Sequence, residues 1–199
     1  RQMCIRDRLY PGVIEWLPVD EIGRLERVDP NRRTIETEFS NFKADLLNVI
    51  PPQRAGKLAR DAGLTDQSGW CPVNASNFKS TQADDIHIIG DATALTPLPK
   101  SAFSAYSCAN ACALDLMQDL LGVSISEGPI LNHCYSSLDD FKAISISGVY
   151  GVDTHSNALK LLSGGESEGT ANWESESRYA KDWYQQFTQE IFGRQRRRN

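Results

Sequence analysis

The stretch that most constrains the fold is IHIIGDATALTPLPKS, which runs from Ile86 to Ser101. Its first residues are apolar, and in an extended conformation Ile86 and Ile88 share one face while Ile89 lies on the other. A short strand that is apolar on both faces is typical of a parallel sheet with helices on both sides. The pattern therefore predicts an α/β fold for this part of the chain.

Gly90 and Asp91, which follow this predicted strand, have the chemistry of a nucleotide-binding strand end. Glycine allows the backbone to approach a ligand closely, and an ionised aspartate is an acceptor suited to the hydroxyls of a ribose or ribityl chain. The motif resembles the second flavin-binding motif of flavoproteins with two dinucleotide-binding domains, in which the aspartate binds the ribityl chain of FAD. The plainer alternative is a strand-to-loop turn whose aspartate caps a helix.

A helix start is predicted directly after, at Pro99, Lys100 and Ser101. If the proline fixes the entry and Ser101 opens the helix, the first N–H groups and the positive end of the helix dipole point toward the end of the strand. Such a helix end stabilises an anion, and reduced flavin carries negative charge on its N1–C2=O side. An ordinary N-cap preceded by proline is the alternative.

The first fifty residues read as β-structure. Asp29-Pro30-Asn31 is a good turn sequence between two predicted strands. The predicted strands lie at 13–16, 24–28 and 34–39, and an apolar run follows at 44–50.

The later part of the chain is predicted to contain three helices and two strands. A short helix covers 54–63, and a long one runs from Ser101 to Leu121 and is stopped by Gly122. Strands are predicted at 130–135 and 143–150, a polar loop at 151–171, and a final helix at 173–192. The final helix carries an inward-facing stripe of Trp173, Tyr179, Trp183, Phe187 and Ile191.

The charge and the apolar runs of the sequence argue against nucleic acid as a partner and against a membrane span. The net charge of −5 implies no basic face for nucleic acid, and no apolar run approaches the ~20 residues that span a bilayer. The sequence also lacks the GxGxxG turn with which FAD sites of this type open. We therefore expect the chain to be the C-terminal part of a longer protein, in which residues 1–8 are non-native sequence and residues 194–199 are a solvated basic tail.

The cysteines and histidines do not predict a metal site. Cys108 and Cys112 lie four apart on the long helix and are best interpreted as small buried residues, because no histidine has zinc-ligand spacing to them. His133 and Cys134 are neighbours on a predicted strand, so their side chains face opposite sides and form no catalytic dyad. By itself Cys134 would be interpreted as a buried free thiol.

Three blocks together resemble the flavoprotein subunit of flavocytochrome c sulfide dehydrogenase. The blocks are IPPQRAGKLA (50–59), SGWCPV (68–73) with IHIIGDATALTPLPKSAFSA (86–105), and LNHCYS (131–136). The resemblance implies an FAD cofactor, sulfide as substrate, a separate c-type cytochrome subunit as partner and a periplasmic location. It also implies that Cys134 forms a catalytic redox disulfide with a cysteine from the N-terminal half. The cofactor-binding residues that it implies are Pro52, Gln53, Gly90, Asp91, Pro99, Lys100, Ser101 and Ala102.

The same resemblance gives the expected domain organisation, a partial Rossmann-like flavoprotein with a C-terminal α+β domain. Residues 9–50 would end a second, NAD-like dinucleotide-binding domain. Residues 51–128 would be the C-terminal half of the FAD-binding domain, and residues 129–193 the C-terminal flavin-binding domain. On this interpretation the chain alone does not turn over sulfide.

Two other functions stay open at this point. A sulfide:quinone oxidoreductase would share the flavin domain and cysteine chemistry but should end in amphipathic helices that lie on a membrane. A non-enzyme alternative treats 129–193 as a docking module for a cytochrome on a domain that has lost its flavin.

Overall fold

The structure is a computed structural model that describes residues 9–124, 128–153, 155–167 and 172–193. The chain divides into two compact units, one ending at Gln53 and the other beginning at Arg54. The predictions for residues 1–8 and 194–199 lie outside the described residues.

The described part of the first unit contains a short helix at Val19–Ile22 and a three-stranded antiparallel sheet in the order β1-β2-β3. The Oδ1 atom of Asp29 accepts hydrogen bonds from the backbone N–H groups of Asn31 and Arg32 at 3.0 and 2.9 Å, so the predicted turn is confirmed. The strand predicted at 13–16 is wrong, since these residues form a turn followed by irregular chain. The elements are α1 (Val19–Ile22), β1 (Leu25–Asp29), β2 (Thr34–Thr37) and β3 (Asn41–Lys43).

The second unit is built around another three-stranded antiparallel sheet, in the order β4-β5-β6. The strands are β4 (Ile130–Ser137), β5 (Ala143–Asp153) and β6 (Ala158–Glu166). The helices are α2 (Lys57–Asp61), α3 (Ala102–Leu121) and α4 (Trp173–Phe192), and Gly90–Ala92 form a 3₁₀ turn. The polar loop predicted at 151–171 is therefore wrong over β6, an edge strand whose mixed apolar, serine and glycine composition hides its pairing with β5.

Helix α3 has the ends that the sequence predicts. The Ser101 side chain accepts a hydrogen bond from the Ser104 N–H, which caps the N-terminus. Gly122 adopts a left-handed conformation (φ +64°) and its N–H bonds the Gln118 carbonyl, which ends the helix. The predicted boundaries of this helix are confirmed.

The parallel strand predicted at 86–89 is not formed. This segment makes a single antiparallel bridge, between His87 and Lys79, and both Ile86 and Ile89 are 38% exposed. No neighbouring strand in the described part of the chain pairs with it, and without a partner an apolar run stays irregular. The described residues thus form an α+β structure in which both sheets are antiparallel, rather than the predicted α/β arrangement.

Helix α3 contacts β4 at Asn132, and α4 contacts it at Tyr135, whose side chain points to the other face of the strand. The two helices also contact each other, through Phe103 and Trp183. In the register Ile130 faces Tyr150, and Asn132 faces Gly148, all on the α3 side. The buried core on this side is formed by Ala75, Phe78, Cys108, Cys112, Ile130, Tyr150 and Leu159.

The stripe predicted on α4 packs inward at Trp183 and Phe187 and is half-buried at Trp173. Trp183 and Phe187 stack on each other with centroids 5.1 Å apart, whereas Tyr179 and Ile191 are 58% and 45% exposed. Residues four apart drift around a helix of 3.6 residues per turn, so Tyr179 and Ile191 rotate away from the core.

Among the described residues, no helix is both long enough and apolar enough to cross a membrane.

Replacing Gly148 by alanine is expected to destabilise the second unit. A Cβ atom there would lie 2.7 Å from ring atoms of Tyr150, which is buried in the core. Since the ring has no space to move into, we expect Gly148→Ala to lower the free energy of unfolding by about 1–3 kcal/mol in urea denaturation. Gly165→Ala in the same sheet is the control, because its Cβ would meet no atom within 4 Å and should cost less than ~0.5 kcal/mol. Equal effects of the two substitutions would contradict this packing.

Candidate functional site

The centre of the candidate site is the side-chain oxygen of Asn132 on β4. Asn132 is only 4% exposed, and its Oδ1 atom accepts hydrogen bonds from the hydroxyls of Ser101 and Ser104 at 2.7 and 2.9 Å. The Ser101 hydroxyl also accepts from the Ser104 N–H at 3.1 Å. A strand residue is therefore bonded directly to the N-terminal cap of α3.

Cys134 belongs to the same network. It is two residues from Asn132 on β4, so both side chains lie on one face of the strand, and its thiol donates to Asn132 Oδ1 at 3.4 Å. Its charge also contributes, after burial, to the raised pKa of Tyr150 across the sheet. The thiol is thus held at the start of α3 and within electrostatic reach of a buried phenol.

A cleft of about 320 Å³ opens beside Cys134. The first residues of α3, the strand β4 and the middle of α4 form its walls. Its lining consists of Ser101, Ala102, Phe103, His133, Cys134, Tyr135, Ala180, Trp183 and Tyr184. Because the first N–H groups of a helix have no intrahelical partner, this wall of the cleft presents N–H donors and the positive end of a 20-residue helix.

Aromatic rings from α3, β4 and α4 line much of the cleft. Phe103 of α3 stacks on Trp183 of α4 with centroids 6.0 Å apart, and Tyr135 packs edge-on against His133 at 4.5 Å. The His133 Nε2 atom is buried and has no hydrogen-bond partner in the described part of the chain. Within those same residues His133 makes no hydrogen bond to Cys134, although both line the cleft.

Position 90 requires a glycine, because its backbone has a positive φ and because a side chain there would press against α3. Its φ is +67°, and a Cβ atom would lie 3.1 Å from the Cβ atom of Ala105 on α3. The close approach that glycine allows is here made to α3. Asp91, the next residue, is exposed and lies in the 3₁₀ turn.

Lys100 ties the loop after this turn to the start of α3. Its ammonium donates to the carbonyl oxygens of Asp91 and Thr93 at 2.8 and 2.6 Å and lies 3.8 Å from the centre of the Trp70 ring. Desolvation lowers the pKa of Lys100, and the Asp91 carboxylate acts against that shift. Lys100 therefore fixes the position of Asp91 through a hydrogen bond to its backbone carbonyl.

The four described cysteines are free thiols in different surroundings. Burial raises the pKa of the Cys108 thiol to about 11, and burial also raises the pKa values of Cys71 and Cys112. Cys134 is the one of these four that is partly exposed, and it opens onto the cleft. The structure thus separates one accessible thiol from three that burial keeps protonated.

The residues predicted from the sequence fall into three groups. Ser101, Ala102 and Cys134 line one cleft. Gly90, Asp91, Pro99 and Lys100 belong to the loop that leads to it, while Pro52 and Gln53 are exposed at the end of the first unit. A larger cleft of about 590 Å³ lies at the β4–β5 turn and contains none of them.

Asn132 belongs to the candidate site but was not singled out from the sequence. A signal was present, because a polar residue two positions before Cys134 in a strand must share its face. What the sequence does not reveal is that this face meets the start of α3.

Two family models match the chain. The family described as "Flavocytochrome c sulphide dehydrogenase, flavin-binding" matches residues 127–192, which include β4, β5, β6 and α4. The family described as "Sulfide dehydrogenase [flavocytochrome c] flavoprotein chain, central" matches residues 4–51. Together the two matches cover more than half of the chain.

The chain is also similar in fold to a chain of the mitochondrial ATP synthase of Tetrahymena thermophila, seen in a cryo-EM composite tetramer model of F1Fo. The TM-score is 0.58, with 19% sequence identity over 83% of this chain. The chain spans 40% of the length of that chain. At this identity the similarity concerns the fold alone.

The accessibilities of the thiols predict an order of chemical labelling. In the folded protein at pH 8, we expect iodoacetamide to modify Cys134 at least about tenfold faster than Cys71, Cys108 or Cys112, since a buried thiol with a raised pKa is a poor nucleophile. Peptide mass spectrometry after timed quenching gives each rate, and labelling in urea is the control for intrinsic reactivity. Preferential labelling of Cys108 in the folded protein would contradict the structure.

Proposed function

Because the chain belongs to the flavoprotein family of flavocytochrome c sulfide dehydrogenase, we propose that it acts in the FAD-dependent oxidation of sulfide, with a c-type cytochrome as electron acceptor. The observation that carries this proposal is the shared cleft of Cys134 and the first turn of α3, joined through Asn132. This places a sulfur atom beside a helix end that favours negative charge.

The residues of the cleft fit a flavin. Ala102 and Phe103 present N–H groups at the helix start, the chemistry needed at the anionic N1–C2=O edge, and aromatic side chains supply a flat apolar wall. Asp91, fixed through Lys100, offers an acceptor for ribityl hydroxyls. When bound, FAD would supply the acceptor for the two electrons taken from sulfide.

The proposed role of Cys134 is thiol–disulfide exchange. In the oxidised protein Cys134 is joined by a disulfide to a second cysteine, which is not one of the buried Cys71, Cys108 and Cys112. Hydrosulfide attacks one sulfur of this bond. A new S–S bond forms as the old one breaks, which leaves a persulfide on one cysteine and a thiolate on the other. Strand β4 keeps the Cys134 sulfur beside the start of α3 during this exchange.

The domain assignment is part of the same proposal. Residues 9–50 are assigned to the end of an NAD-like domain, residues 51–128 to a Rossmann-like FAD-binding domain, and residues 129–193 to the C-terminal flavin-binding domain. The two family matches support the first and last of these boundaries. Pro52 and Gln53 are proposed to contact the cofactor at the junction, and the location is proposed to be periplasmic.

Substituting Cys134 tests the proposal directly. In protein expressed from the complete gene, we expect Cys134→Ser to retain bound flavin but to lose its reduction by sulfide by at least about a thousandfold, because the sulfur that carries the exchange is gone. Anaerobic stopped-flow absorbance at the flavin bands measures the rate, and dithionite should reduce both proteins equally. Cys112→Ser, buried on α3, is the matched control.

Three outcomes would contradict parts of the proposal. Sulfide reducing the flavin of Cys134→Ser at the wild-type rate would remove Cys134 from the reaction. Turnover with a quinone but not with soluble cytochrome c would favour a sulfide:quinone oxidoreductase. A folded protein that binds no flavin would favour the cytochrome-docking module.

A further inference from the structure

We propose that Asn132 is a positioning residue whose side-chain oxygen distinguishes a protonated Cys134 sulfur from one that has lost its proton, and couples that difference to the cap of α3. The relevance of this coupling to sulfide oxidation rests on the proposed function of Cys134. The coupling itself is a property of the chain without cofactor.

More donors approach the Asn132 side-chain oxygen than it has lone pairs. An amide carbonyl oxygen has two lone pairs. Three donors approach Asn132 Oδ1, namely the hydroxyls of Ser101 at 2.7 Å and Ser104 at 2.9 Å and the thiol of Cys134 at 3.4 Å. The thiol is the weakest donor by chemistry and the most distant, so it competes with the two hydroxyls for two lone pairs. The Ser101 hydroxyl has a second possible acceptor, because it also lies 3.1 Å from the Ser104 Oγ atom.

The competition ends when the Cys134 sulfur carries no hydrogen, as a thiolate, a disulfide or a persulfide. Two hydroxyls then match two lone pairs, and Ser101 still accepts from the Ser104 N–H to cap the helix. With deprotonated or oxidised sulfur, both hydroxyls therefore bond Asn132, whereas with the thiol the Ser101 hydroxyl must turn to Ser104 Oγ before each of the three donors has an acceptor.

Water does not relieve this competition. Asn132 is 4% and Ser104 is 2% exposed, so a group that loses its partner here can find a new one only within the network, as Ser101 can at Ser104 Oγ. Both side chains lie where β4 packs on α3, and Gly148, opposite Asn132, leaves room for the buried ring of Tyr150.

Several titratable groups surround the sulfur besides those of the network. Tyr150 approaches from β5, His133 and Tyr135 lie beside Cys134 on β4, and Tyr184 of α4 lines the same cleft. The test therefore changes only the hydrogen-bond network and leaves these groups in place.

Substitutions at Ser104 test the competition. Ser104→Ala removes one hydroxyl and frees a lone pair for the thiol, which stabilises the protonated sulfur. We expect alkylation of Cys134 by iodoacetamide at pH 7 to slow by about two- to tenfold, since the thiolate is the nucleophile. Ser104→Thr keeps the hydroxyl and should restore the rate. Ser107→Ala, one turn further along α3, is the matched control, because the Ser107 hydroxyl bonds the Leu131 N–H and not Asn132.

Asn132→Asp provides a second, independent variant. The serine hydroxyls and the helix start keep the new carboxylate ionised, and its charge beside the sulfur should slow alkylation by about tenfold or more. Circular dichroism confirms that each variant is folded, and peptide mass spectrometry reads Cys134 separately from the other cysteines.

We expect Cys134 to be alkylated at the same rate in the wild type, Ser104→Thr and Ser107→Ala. The rate should be lower in Ser104→Ala and lowest in Asn132→Asp. Ser104→Ala reacting as fast as wild type or faster, or Asn132→Asp reacting at the wild-type rate, would overturn the proposal. The measurement uses no flavin, sulfide or cytochrome. Its outcome is therefore separate from that of the Cys134→Ser experiment.

Discussion

A single buried carbonyl oxygen, Oδ1 of Asn132, organises the candidate site. It accepts from Ser101, which caps the 20-residue helix α3, and from the thiol of Cys134. Removing it would leave the buried Ser104 hydroxyl without its acceptor and would break the side-chain hydrogen bonds between Asn132 and the helix start. The sulfur and the positive end of the helix face one cleft because both are bonded to this atom.

The packing around this oxygen explains why β4 and α3 meet there. The register of β4 and β5 sets Gly148 opposite Asn132, and the missing side chain makes room for the Tyr150 ring in the core. Gly90 also approaches α3, at Ala105, in a conformation that other residues rarely adopt. Lys100 then fixes the intervening loop through two backbone carbonyls and the Trp70 ring. The helix start is thus held from the sheet and from the loop.

Local sequence signals predicted α3 well, because its N-cap, Ser101, and the glycine that ends it, Gly122, directly flank the helix in the sequence. Non-local pairing was harder. The strand predicted at 86–89 has the composition of a buried strand but no partner strand among the described residues, whereas β6 has the composition of a loop and forms a full ladder with β5. Strand formation depends on what lies alongside, which periodicity within a segment does not contain.

The candidate site likewise combines residues that local sequence signals predict with one that only a non-local contact reveals. Cys134 and Ser101 were singled out from motifs and a family resemblance, and each was assigned a role separately. Asn132, which hydrogen-bonds to both, is a neutral amide whose side chain has no reactivity that would single it out in the sequence. Its role arises from the contact between a strand and a helix start about thirty residues apart in sequence, and that contact becomes evident only in three dimensions.

The most direct test of the account is a crystal structure of the oxidised protein, expressed from its complete gene, with FAD bound. The account predicts that Cys134 Sγ forms a disulfide within about 4 Å of the isoalloxazine ring, with Asn132 Oδ1 still accepting from Ser101 and Ser104. A Cys134 thiol that is unpaired and more than about twice that distance from the ring would contradict it.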